Sequence, residues 1–105
     1  MVDYLSKNRN SKLYSIYDQV LRSGTSIMSN VSESQFAQSS ADFISKLHIA
    51  LKEANETMRW ITFLGDKGCL TNKELDSMCQ DCNEIIAMLV ASIKTSKRNQ
   101  QIIVK

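Results

Sequence analysis

Ile44, Leu47, Leu51, Ala54, Met58 and Ile61 recur at alternating spacings of three and four, which places them on one side of a 3.6-residue spiral. The stretch from Ser40 to about Leu64 therefore reads as one long helix. A second row, Ile49, Glu53, Glu56, Trp60 and Phe63, keeps the same spacing on nearly the opposite side, so this helix has two faces to cover. Ahead of it, Leu13, Tyr17, Val20, Gly24, Ile27 and Val31 form a bundle-like stripe that predicts a helix from about Ser11 to Ser32. Beyond it, Leu75, Cys79, Cys82, Ile86, Leu89 and Ile93 predict a third helix reaching about Lys97.

Polar and flexible residues punctuate these stripes where helices should begin and end. Ser34 to Ser40 is small and polar, and Ser39 or Ser40 can cap the second helix with Asp42 in its positive first turn. Gly65-Asp-Lys-Gly68 ends that helix, because glycine accepts the left-handed conformation. Thr71-x-x-Glu74 is a capping box, with Leu70 placed to pack on Leu75 as a staple. Within the first helix, Ser23-Gly24-Thr25-Ser26 predicts a close helix crossing, or else a kink. Short connections between three long helices imply an antiparallel, up-down-up order.

Composition supports an all-α, up-and-down bundle in one domain over residues 1–105. There is no Pro and only three Gly, with 43% hydrophobic and 23% charged residues. Residues 1–10 and 99–105 read as flexible or docking ends: Met1 to Lys7 can form a turn or two, and Ile102-Ile-Val104 is an apolar patch that either docks on a partner or belongs to a flexible tail. No apolar run approaches the roughly 20 residues of a membrane span, and no signal core leads the chain; a cytoplasmic location is expected, without a membrane partner.

Net charge is only +2, so its distribution matters more than its total. Lys7, Arg9 and Lys12 form one basic cluster, and Lys94, Lys97 and Arg98 another. In an up-down-up bundle they lie at opposite ends. They either solubilise the ends or, repeated around an oligomer, become charged rims that contact RNA or DNA.

Catalytic machinery is not visible. A di-metal bundle site needs Glu-x-x-His on two helices, whereas His48 is the one histidine and Ser45 stands three residues before it. Cys79-Gln-Asp-Cys82 with Cys69 and His48 supplies ligands enough for one zinc site, but the pair falls inside a helix beside its apolar row. Buried small hydrophobes describe these cysteines better, and His48 reads as a surface or boundary residue. Met28, Met58, Met78 and Met88 read as core filler. Three cysteines without a secretory signal speak for reduced thiols. No phosphate loop or nucleophile elbow appears, so no catalytic residue, metal or cofactor is expected.

The segment Leu21-Arg-Ser-Gly-Thr-Ser-Ile27 with Asn30 and Glu33, then Asp42-Phe-Ile-x-Lys-Leu-x-Ile-Ala-Leu-Lys-Glu-Ala-Asn-Glu-Thr57 and Trp60, closely resembles the four-helix-bundle family named for proteins encoded in intervening sequences of 23S ribosomal RNA genes. The likeness runs on through Leu70, Leu75, the Glu84-Ile-Ile-x-Met-Leu89 block and Lys94-Thr-Ser-Lys97, about residues 17–97. It implies a bundle that assembles as a ring, a pentamer, and kinship with the accessory protein of diversity-generating retroelements, a basic ring that contacts a reverse transcriptase and nucleic acid. Family members carry a long amphipathic helix at their start, of which Met1 to Lys7 can supply only the tail. Either the chain is shortened or a neighbour completes the bundle.

Glu53 and Glu56 share their row with Ile49, Trp60 and Phe63, and a carboxylate among apolar groups is costly unless paired. Arg22, in the family motif, is expected to reach one of them. The row covers either another helix of the same chain or a second subunit. Two functions fit: a self-associating adaptor that contacts nucleic acid, and a protein-only interaction module that binds a partner through the apolar second face of helix 40–64.

Overall fold

The computed structural model describes the backbone of residues 11–104 and the side chains of residues 15–99. This span is all-α, with three helices: α1 (Ser11–Ser34), α2 (Ser40–Asp66) and α3 (Asn72–Val104). No helix among the described residues is long and apolar enough to cross a membrane.

The helix boundaries follow from local hydrogen bonding. Ser39 sits in extended backbone and its hydroxyl accepts the Asp42 N–H at 3.1 Å, while the Asp42 carboxylate accepts the Gln38 N–H at 3.3 Å, so freed donors at the start of α2 are satisfied. The Glu74 carboxylate accepts the Thr71 N–H at 2.9 Å and the Thr71 hydroxyl accepts the Glu74 N–H at 3.1 Å, the reciprocal pair of a capping box. At the end of α2 the chain turns left-handed at Gly68, with φ of 74°. There the Cys69 N–H donates to the Leu64 carbonyl and the Gly68 N–H to the Gly65 carbonyl, both at 3.0 Å. This paired closure is a Schellman motif, and its usual apolar contact is present between the buried Leu64 and Cys69.

The expected third helix runs past Lys97 to Val104, so residues 99–104, expected as a flexible or docking end, continue α3. No glycine or proline interrupts them, and nothing local stops the backbone ladder.

The helices run antiparallel. As the α1 member of a pair moves forward from Ser23 to Glu33, its α2 partner moves back from Thr57 to Lys46. In the same way α3 opposes α2, with Cys82 beside Ala54 and Leu75 beside Gly65. A Cβ on Gly65 would lie 2.7 Å from a Leu75 methyl, so this glycine permits the close approach.

α2 is the middle of the fold. It packs on α1 along one flank and α3 along the other, and among the described residues no Cα of α1 comes within 8 Å of a Cα of α3. Near the α1–α2 turn, Ile27, Ile44, Leu47, Ala50, Ala54, Leu89 and Ile93 form one buried cluster. Toward the other end, Val20, Ile61, Leu64, Cys69 and Leu70 form a second, with Tyr17, Trp60 and Leu75 packed against it.

Serving two neighbours widens the buried face of α2 beyond one stripe. Ala50, Thr57 and Leu64 are buried together with the expected Ile44, Leu47, Ala54 and Ile61, while Leu51 and Met58 are half-buried at its margin. On α1 the buried row is Val20, Ser23, Ile27 and Ser34, so Gly24 and Val31 give way to two serines. The predicted close crossing is made by Ser23, whose hydroxyl accepts from Thr57; nothing lies within 4 Å of where a Gly24 Cβ would be.

Candidate functional site

Two helices leaning on a third leave one corner of the bundle open. Between α1 and α3 runs a groove of about 460 Å³, floored by Phe43 and Leu47 of α2 and walled by Met28 and Val31 on one side and Ile85 and Met88 on the other. It runs on past Ser34 and Gln35 to Ser96 and Asn99, where the walls turn polar. None of the described residues lining either stretch carries a charge.

Met28 and Met88 stand out from the two walls, 75% and 67% exposed, in place of the core role expected of them. Helix periodicity already contained this face. Leu21, Gly24, Met28, Val31 and Gln35 recur at spacings of three and four on α1, one step around from the buried row. Only the disposition of the helices shows that both rows exist and that the other described helices leave one of them exposed at Met28.

The outer row of α2 lies on the opposite side from the groove and is unevenly covered. Glu53, Glu56 and Trp60 are half-buried, whereas Ile49 and Phe63 are exposed. Trp60 packs on the cluster formed with α1 and α3, and its indole Nε1 is sealed from solvent without a hydrogen-bond acceptor, a costly state for a donor. The Lys67 ammonium sits 5.4 Å from the centre of the Phe63 ring, a cation–π contact at the edge of the row.

Arg22 does not reach Glu53 or Glu56. Its Nε pairs with Asp18 one turn earlier on α1 at 3.1 Å, and the side chain is 73% exposed. Residue 22 falls on the solvent side of a helix whose buried row is Val20, Ser23 and Ile27, so a reach to the far side of α2 is geometrically closed. Among the described residues, the ion pair that does join α1 to α2 is Lys46 with Glu33, also at 3.1 Å.

Lys94, Lys97 and Arg98 are exposed on the last turns of α3, at the end of the bundle that also holds Lys46. Lys7 and Arg9, and the side chain of Lys12, lie outside the described residues, as do the side chains of Ile102 to Val104.

The cysteines are packing groups in the region around α3. Cys69 and Cys82 are buried and Cys79 half-buried. The Cys82 thiol donates to the Ala54 carbonyl at 3.3 Å; burial, and then the neighbouring Cys79, push its pKa up, which suppresses thiolate chemistry. His48 is exposed. Among the described residues no three His, Cys, Asp or Glu side chains come together as a metal site.

The family model described as 23S rRNA-intervening sequence protein matches residues 1–91. Among solved structures, a protein of unknown function from the S23 ribosomal protein family of Bacteroides thetaiotaomicron is 43% identical, with a TM-score of 0.82 over 89% of this chain and 84% of that one. None of the curated proteins matches the chain.

Proposed function

Because the chain belongs to the 23S rRNA-intervening sequence protein family, we propose that it is a non-enzymatic bundle subunit that assembles with its own copies into a ring, a pentamer on the family resemblance, and acts in the cytoplasm as a nucleic-acid-associated adaptor. The observation that carries this reading is the outer row of α2, where Ile49 and Phe63 stay 41% and 39% exposed in the single chain. Apolar side chains lined up along one helix face are the usual mark of a contact surface. Ring assembly would cover them and repeat Lys94, Lys97 and Arg98 around one rim, concentrating positive potential where a single copy has little.

Light scattering on the intact chain and on Phe63→Glu tests the assembly, which the variant is expected to lose. RNA binding should weaken steeply with salt, since each phosphate contact releases counterions. Lys94→Gln, Lys97→Gln and Arg98→Gln together should flatten that dependence. Binding that ignores salt, or an assembly indifferent to Phe63→Glu, would count against the corresponding half of the proposal. Function retained in the triple Gln variant would favour the second reading, a protein-only module that binds a partner through the apolar second face of α2, where Ile49 and Phe63 are exposed.

A further inference from the structure

The turn between α1 and α2 presents an aromatic ring to water. Phe36 is 84% exposed, and it is the one large apolar side chain between Ser34 and Ser40. Three consecutive backbone hydrogen bonds fix the turn that carries it: the N–H groups of Gln35, Phe36 and Ala37 donate to the carbonyls of Ser32, Glu33 and Ser34 at 3.2, 3.0 and 3.2 Å. The ring is therefore presented on hydrogen-bonded backbone. A single ring falls well short of an apolar contact patch for a protein or a lipid surface, but it is enough to stack one base. Gln35, Gln38, Ser39 and Ser40 flank it in the chain and supply amides and hydroxyls of the kind that bond base edges and the ribose 2′-hydroxyl.

Lys94, Lys97 and Arg98 stand at the same end of the bundle. Gln35 and Ala37, on either side of Phe36 in sequence, share one recess with Ser96 and Asn99, on either side of Lys97 and Arg98. Spacings of three and four put the cations on neighbouring turns of α3, where Lys94 and Arg98 repel each other. Neither local use of such charge applies to them. α3 continues to Val104 and no basic residue falls in its last turn, so the cations lie beyond the reach of the negative end of the helix dipole. With the other described residues they form no ion pair: Glu33 is held by Lys46 at 3.1 Å, and the Asp42 carboxylate accepts the Gln38 N–H at 3.3 Å.

We propose that Phe36 is a stacking platform for an unpaired base of single-stranded RNA, with Lys94, Lys97 and Arg98 on the neighbouring phosphates. The inference rests on the nucleic-acid half of the proposed function and names the form of nucleic acid. An exposed ring on a turn can receive a base splayed out of a single strand, whereas bases inside a duplex are stacked on one another and closed to it. The cations alone would attract single and double strands alike; the ring adds the discrimination.

Fluorescence anisotropy at low salt tests it on the full chain, on Phe36→Ala and on Phe36→Tyr. The probes are a mixed-sequence RNA of about 12 nucleotides and the same strand annealed to its complement. The wild type should bind the single strand more tightly than the duplex. Phe36→Ala should weaken single-strand binding on the order of tenfold, with duplex binding and the salt dependence unchanged because no phosphate contact is lost. Phe36→Tyr should keep the wild-type affinity. Phe36 belongs to neither buried cluster, so helical content and assembly mass should hold in both variants. Single-strand affinity unchanged in Phe36→Ala would overturn the platform and leave the adaptor standing. No binding of either RNA by the wild type would overturn both. A fall in assembly mass with Phe36→Ala would overturn the platform too, and assign the ring to a contact between subunits.

Discussion

Thr57 on α2 donates a hydrogen bond of 2.6 Å to the Ser23 hydroxyl on α1, and both side chains are buried. Ser23 in turn lies 3.3 Å from its own Val20 carbonyl, and Thr57 lies 2.8 Å from the carbonyl of Glu53. Each hydroxyl therefore has a local acceptor in reserve. Removal of either partner leaves the other satisfied, and the crossing keeps its small side chains.

Ser23→Ala and Thr57→Val should accordingly each cost only about 1 kcal/mol, the net worth of a hydrogen bond without the penalty of an orphaned group. In a double-mutant cycle the coupling should be about 0.5–1 kcal/mol. Chemical denaturation of the four proteins checks this, and a single-variant loss above about 3 kcal/mol would mean that the reserve acceptors do not serve.

The three glycines should respond to alanine in three ways. Gly65→Ala drives a Cβ against the Leu75 methyls and should cost about 1–3 kcal/mol as that side chain is displaced. Gly68→Ala forces a side chain onto a left-handed backbone and should cost about 1 kcal/mol. Gly24→Ala meets open space inside a helix and should stabilise by roughly 0.5–1 kcal/mol. Thermal melts of the three variants under identical conditions give the order directly.

Acid should weaken the start of α3. The Glu74 pKa is lowered first by the backbone N–H of Thr71 and then by its hydroxyl. A carboxyl whose folded pKa lies below its unfolded value contributes stability above the unfolded pKa and loses it as pH falls through the folded one. The melting temperature of Glu74→Gln should therefore lie below that of the wild type at neutral pH. The gap should close as pH drops below the ordinary glutamate range, and a gap that stays constant with pH would show that the charge is not involved.

Thiol labelling should separate the cysteines by burial. Cys79 is expected to react first in the native protein, with Cys69 and Cys82 protected until the chain unfolds, because the raised Cys82 pKa and its closed surroundings both oppose thiolate formation. Mass spectrometry after brief alkylation, with and without denaturant, reads the order.

The elements that were legible from sequence are those set by local chemistry. Thr71 with Glu74, Ser39 with Asp42, and Gly68 each satisfy or close a helix end within a few residues, so the pattern alone locates them. The family likeness rests on other segments, Leu21 to Ile27 and Asp42 to Thr57 above all, and the match over residues 1–91 agrees with it. What depends on packing was less legible. A helix wheel of α2 shows two apolar rows but not that one helix touches two neighbours, which is why Ala50, Thr57 and Leu64 joined the core. Charge chemistry points Arg22 to Glu53 or Glu56, but the rotation of α1 turns it toward Asp18. Met28 and Met88 read from the sequence as core filler; only the gap between α1 and α3 shows that among the described residues they stand exposed.

Since the outer helices rest on α2 and not on each other, this molecule has a keystone. Peeling α1 away takes Val20 and Ile27 from the two clusters but leaves α3 against α2, and peeling α3 away takes Leu89 and Ile93 from one cluster and Leu75 from the margin of the other but leaves α1 against α2. Melting α2 abolishes both clusters at once. Amide protons in the middle of α2, around Ala50 to Leu64, should thus be the last to exchange with solvent, at the free energy of global unfolding, while either flank opens by a cheaper, partial route.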